Sequence, residues 1–215
     1  MESVVSIVSI VAGIVAIVGG IVAFTRWLLS RPRQSRPVDR SSPGIADAGA
    51  LPSGGDLSLD DAFIRKEQGK VERRRGNSAE AKRLFNEAYA IHLHHGNVRG
   101  QANALMNRGI LYRMMGEFRR AERDHWAADR LFRQAKDARG TADNLKNLGV
   151  VYRDWQRPRQ AIAIHERALA LYKEVRDRAG EAHLLQELGV DCGALGDPDT
   201  AERYLAASQQ ILRTL

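Results

Sequence analysis

The chain has 215 residues, 44% of them hydrophobic and 27% charged, with a formal net charge of +7. That is enough apolar content for a packed core, and a lone cysteine, Cys192, excludes an internal disulfide framework. The charge is uneven: residues 1–60 carry five basic and five acidic side chains, so the whole excess lies in 61–215.

Val4 to Phe24 is a run of 21 residues with no charge, built from Val, Ile, Ala, Gly, Phe and two Ser. As a helix it would extend roughly 30 Å, about the thickness of the hydrocarbon core. Arg26 and Trp27 follow, where an interfacial anchor is expected. A cleaved signal peptide would have a basic start, a shorter apolar run and a small-residue cleavage site. Here only Glu2 is charged before the run. Residues 1–29 are therefore expected to be a single transmembrane helix.

Arg26, Arg31, Arg33, Arg36 and Arg40 follow the span, and only the α-amino group is basic before it. The positive-inside rule then puts the N-terminus outside and everything after the span in the cytoplasm. Small residues, among them Ser9, Ala12, Ala16, Gly20 and Ala23, recur every three to four positions. Such a seam lets two membrane helices approach closely, so these residues are expected to pack against a second copy. Residues 30–56 hold Pro32, Pro37, Pro43 and Pro52 among Ser, Gly and Arg, with no apolar periodicity. This composition predicts a flexible linker.

From residue 57 the sequence repeats with a period of 40. Gly69, Gly109, Gly149 and Gly189 fall in phase, as do Ala81, Ala121, Ala161 and Ala201. So do Ala88, Ala128, Ala168 and Ser208, and then Ile91, Leu131, Leu171 and Ile211. Four columns in register without an insertion mean a stacked helical array, with copies at 61–100, 101–140, 141–180 and 181–215. Ser58, with Asp61 three residues on, is the expected first N-cap. Inner turns are expected at Gly76-Asn77, Gly116-Glu117, Gln156-Arg157-Pro158 and Gly196-Asp197-Pro198, and outer turns ending at Gly100, Gly140 and Gly180. Arg65, Gln68 and Glu72 stand where the third copy has Leu145, Leu148 and Tyr152, as a polar terminal cap requires. At the other end Tyr204, Leu205, Ile211 and Leu212 are expected to leave an apolar edge exposed.

Leu145, Leu148, Gly149, Tyr152, Ala161 and Ala168 show the spacing of each copy. The pattern resembles the tetratricopeptide repeat family, and the 40-residue length is similar to the kinesin-light-chain type. The resemblance implies an all-α chain: membrane helix, linker, and an α-solenoid of four helix-turn-helix repeats acting as a scaffold for protein partners.

No nucleophile elbow, phosphate-binding glycine loop or paired-cysteine motif is present. No enzyme activity, cofactor or metal site is expected. His92, His94 and His95 suit a helix C-terminus, and His125 and His165, in phase with Phe85 and Leu205, are expected to fill packing slots. The runs Arg73-Arg74-Arg75 and Arg119-Arg120-Arg123 are diluted by Glu72, Glu122 and Asp124. They read as a solvated face, with no nucleic-acid partner expected.

Gly109 and Tyr112 are expected to face the second helix of their repeat. The opposite stripe then holds Asn103, Met106, Asn107, Ile110 and Arg113, spaced three and four apart. The third repeat puts Asp143, Lys146, Asn147, Val150 and Arg153 there, and the fourth His183, Gln186, Glu187, Val190 and Gly193. In the resembled family this stripe lines the concave groove, and asparagines at Asn107 and Asn147 typically hold an extended peptide. A side-chain amide offers the donor and acceptor that a peptide unit needs. The same asparagines could instead satisfy neighbouring loops. Lys146, Arg113 and Arg153 suit a carboxylate, although Asp143 and Glu187 interrupt the basic surface. The expected function is a membrane-anchored adaptor for an extended peptide or partner protein. Alternatives are an assembly module that self-associates through its membrane helix and array ends, and a regulatory sensor segment of a signalling system.

Overall fold

The computed structural model describes residues 57–215. The expected membrane helix, its packing residues Ser9, Ala12, Ala16, Gly20 and Ala23, and the linker lie outside the described residues. No described helix is long and apolar enough to cross a membrane.

Eight helices follow one another: α1 (Leu59–Arg74), α2 (Ser78–His94), α3 (Val98–Met114), α4 (Phe118–Gln134), α5 (Ala138–Asp154), α6 (Pro158–Glu174), α7 (Arg178–Ala194) and α8 (Pro198–Leu212). Each packs on its sequence neighbours, so the odd-numbered helices form one layer and the even-numbered ones the other. No strand occurs among the described residues. Ser58 and Asp61 cap α1 reciprocally, the Ser58 side chain accepting from the Asp61 N–H and the Asp61 carboxylate from the Ser58 N–H.

The repeat of 40 is physically two units of 20. Helices α2 to α7 each have 17 residues, and every connection has the same closure. One residue is left-handed: Gly76, Gly96, Gly116, Lys136, Gln156, Arg176 and Gly196, with φ between 54° and 84°. The next N–H returns to the carbonyl five positions back, as from Asn77 to Glu72 at 2.9 Å and from Arg157 to Tyr152 at 2.8 Å. This is the Schellman ending, which satisfies carbonyls the helix leaves without partners.

The outer turns differ from expectation. Gly100, Gly140 and Gly180 are in the first turn of α3, α5 and α7, not at the end of the loops. Their N–H groups donate to the side chains of Asn97, Asp137 and Asp177, the N-caps. The glycines allow close approach: a Cβ at Gly140 would lie 2.5 Å from the Phe132 ring of the preceding helix.

The in-phase alanines 81, 121 and 161 are fully buried, and Ser208, completing the second small-residue column, donates its hydroxyl to the Ala182 carbonyl at 2.7 Å. Cys192, which stands in the column of Tyr112 and Tyr152, is buried with them. The first repeat is polar through Arg65, which pairs with Glu87, and Gln68, but Phe63, Ile64 and Val71 are exposed on the same helix. On α8, Leu205 and Leu212 are exposed, whereas Ile211 is buried. Ile211 belongs to the Ile91 column, which faces inward, so it joins the core with Leu184 and Leu188.

Candidate functional site: the stripe along the odd-numbered helices

Between Gly100 and Tyr112, α3 is buried at every position except Asn103, Met106 and Ile110. In α5 the only positions from 141 to 152 that are not buried are Asp143, Lys146, Asn147 and Val150, and in α7 from 181 to 192 they are His183, Gln186, Glu187 and Val190. Arg113 and Arg153 continue the stripe, partly exposed. The spacing of three and four keeps these residues on the face turned away from both neighbouring even-numbered helices. Direct contacts between α1 and α3, and between α3 and α5, bring successive stripes side by side. Asn107 is the exception, only 5% exposed.

The asparagines are partly committed. The Asn107 Nδ2 donates to the Asn103 carbonyl at 2.8 Å, the Asn147 Nδ2 to the Asp143 carbonyl at 2.8 Å, and the Asn103 Nδ2 to the Arg99 carbonyl at 3.1 Å. Each returns one turn along its own helix, which commits one of the two amide N–H groups of Asn107 and Asn147 and leaves the other N–H and the carbonyl oxygen to meet a peptide unit. Met106 packs against the cluster containing Leu105 and Phe132.

The charges are arranged in pairs, the arginines reaching the next repeat and the lysines pairing within their own helix. Arg113 reaches Asp154 at 2.5 Å; Arg153 reaches Glu187 at 2.6 Å and Asp191 at 3.2 Å. Lys146 stands 3.7 Å from Asp143, whose carboxylate also accepts the Tyr172 hydroxyl at 2.6 Å. Burial, reinforced by that carboxylate, pushes the Tyr172 pKa up. On α1, in the same register, Lys66 and Lys70 both pair with Glu67, at 3.2 and 2.9 Å.

Beneath the stripe lie the two slot histidines. His125 is fully buried; its Nδ1 donates to the Asn144 side-chain oxygen at 2.9 Å, and the Asn144 amide donates to the His125 carbonyl at 2.8 Å. Burial pulls its pKa down to about 4. His165 packs over Gly149 and meets the Asp191 carboxylate at 2.5 Å. They fill packing slots as expected, and they also tie each repeat to the next. Through Asp191, His165 joins Arg153 and Glu187 in one network spanning α5, α6 and α7.

The sequence reading missed Asp154 and Asp191 as partners of the stripe arginines, and it placed Arg73 in a solvated basic run. The signal for Arg73 was present, because it is in phase with Arg113 and Arg153. It missed Arg108 as well. Arg108 is 1% exposed, donates to both Asp124 oxygens at 2.6 and 2.9 Å, and reaches the Asn86 side chain at 2.6 Å.

The chain is similar in fold to BtubC (BKLC) from P. vanneervenii, at 23% identity over 75% of this chain and 67% of that one, with a TM-score of 0.66. It is also similar to two structures from Podosopora anserina, assigned to kinesin light chain with nearly identical TPR-like repeats. These are 15% and 14% identical over 70% and 71% of this chain and 74% and 75% of theirs, each with a TM-score of 0.58. No curated protein matches the sequence. The family model for the tetratricopeptide repeat matches residues 100–174 and 140–214. Those matches together take in more than half of the chain, and it belongs to the tetratricopeptide repeat family.

Proposed function

We propose that this protein is a membrane-anchored scaffold whose repeat array stands in the cytoplasm and holds an extended peptide or partner segment along the stripe of α3, α5 and α7. At the coarser level, a tetratricopeptide array is a scaffold for protein–protein interaction. The observation that carries the finer reading is the stripe itself. It is the one face of these helices not consumed by packing, and its polar residues are ranked in register across three repeats. The uncharged run from Val4 to Phe24 and the arginines after it support the anchor and its orientation.

The test is Asn107→Ala combined with Asn147→Ala. Each lost hydrogen bond to a peptide should cost about 1 kcal/mol, so affinity should fall about 30-fold in the pair. Each side chain also bonds its own helix, so a small loss of thermal stability accompanies this. A large loss of stability with unchanged affinity per folded molecule would make the asparagines purely structural.

A further inference from the structure

Every joint between successive repeats sets a slot side chain of an even-numbered helix against the odd-numbered helix that follows. Phe85 packs with Leu111, His125 is hydrogen-bonded to Asn144, and His165 to the Asp191 carboxylate. The two sides of each joint match, apolar with apolar and polar with polar, and all six residues are at most 1% exposed.

The period of 40 carries the same positions to the two ends of the described array. Leu205 of α8 continues the slot column and lies over Gly189 as His165 lies over Gly149, yet it is 40% exposed. On α1, Ile64 stands in the column of Asn144 and Val71 in the column of Asp191, and they are 50% and 38% exposed. A histidine in the slot requires a polar partner, whereas Leu205 requires an apolar one. Ile64 and Val71 are that partner, and with Leu205 they repeat the apolar joint of Phe85 with Leu111. Where the rings of Phe132 and Tyr172 lie over Gly140 and Gly180, the ends offer the shorter Leu212 and Asp60. The charges are complementary too. Residues 61–100 carry nine basic and five acidic side chains, and 181–215 carry two and six. Phe118 stacks on Trp155 of the next repeat at 6.0 Å, and the equivalent positions at the ends are Pro198 and Arg75. That register sets the exposed Asp197 and Asp199 beside the exposed Arg74 and Arg75. It also brings Glu202 near Glu72, whose carboxylate is already held by Arg75 at 2.8 Å and Asn77 at 2.6 Å.

We propose that α8 of one copy docks on α1 of a second copy, so that Leu205 enters between Ile64 and Val71 and the repeat register continues from chain to chain. The contact is heterologous: one end of the array meets the opposite end of the next, which leaves a free end on each side for further copies. This surface is separate from the stripe, and its failure would leave the groove reading in place.

Crosslinking of the full chain in detergent micelles decides it, with Cys192→Ala as background and a short bismaleimide as reagent. A Val71→Cys chain and a Leu205→Cys chain should each give little dimer alone, and about tenfold more when mixed, as a heterologous contact requires. A chain with both substitutions should give a ladder of dimers, trimers and larger species. Met114→Cys, at an exposed position off this register, should return the mixture to background when it replaces Val71→Cys. Ile64→Asp added to the Val71→Cys chain puts a charge into the joint and should lower crosslinking about tenfold. Its melting temperature should not change, because half of Ile64 is already in solvent. If either single-cysteine chain crosslinks with itself as well as the mixture does, the contact is symmetric and the proposal is overturned. Equal crosslinking through Met114→Cys overturns it as well. So does a thiol at position 71 that is shielded from maleimide in a chain giving no crosslink, since another part of the same chain then covers α1.

Discussion

The second and third repeats follow one plan and resolve it differently. The turn inside the second repeat and both turns before it have glycine in the left-handed position, Gly76, Gly96 and Gly116, whereas the turn that closes the second repeat and both turns of the third impose that conformation on Lys136, Gln156 and Arg176; glycine returns at Gly196. In the second repeat the histidine slot is balanced by a neutral amide, Asn144, and in the third by a carboxylate, Asp191. The second repeat buries an ion pair, Arg108 with Asp124. The third holds Leu148 and Ile164 at those positions, both buried. Among the described residues Arg73 has no carboxylate partner, whereas Arg153 has two. A repeat fold thus fixes where a side chain stands and leaves its partner free to vary. The partner comes from the next repeat, which has its own sequence.

The buried pair offers the largest break in that comparison. Arg108→Ala leaves Asp124 charged and fully buried and should destabilise the array by about 3–5 kcal/mol, measured by urea unfolding. Arg108→Leu together with Asp124→Ile copies the third repeat and should be neutral or stabilising. If the double variant is as unstable as the single one, the ion pair is not interchangeable with the apolar solution.

The histidine slot gives the next effect, through pH. The folded pKa of His125 is depressed to about 4, below the ordinary value of about 6.5 for an unfolded histidine. Above pH 6.5 both states are neutral and the group contributes no pH dependence. As pH falls from about 6.5 to 4, the unfolded chain binds a proton that the folded chain does not, so stability falls through that window by about 3 kcal/mol. His125→Phe with Asn144→Leu, the residues found at Phe85 and Leu184 in the same columns, should flatten that part of the stability profile. An unchanged acid slope would place the sensitivity elsewhere, in carboxylates protonating.

The turns give the smallest effect. A side chain in the left-handed region costs roughly 1 kcal/mol more than glycine. Gln156→Gly and Arg176→Gly should therefore each raise stability by about that much, bringing the third repeat closer to the second. Gly116→Gln should lower it by a similar amount. Calorimetric melting of the three variants checks the sign.

Much of this architecture is legible in the sequence because repetition amplifies weak signals. The small-residue columns, the Ser58 cap, Asp197 with Pro198, and the stripe from Asn103 to Arg113 all follow from spacing alone. The turn of 20 is less legible, since Lys136, Gln156 and Arg176 replace the glycines that would announce it. The outer glycines were misassigned because a glycine near a loop suggests flexibility. Here the reason is the ring of the preceding helix, as with Gly140 under Phe132.

The sequence by itself determined the helical array, its register and which residues share the stripe, because helical periodicity and a constant repeat length are local properties. Only the tertiary structure decided which charges meet. Arg153 and Asp191 are 38 residues apart, and no local rule pairs them. The tertiary structure likewise decided that Arg73 has no acid in reach among the described residues, because that depends on the positions the next repeat turns toward it.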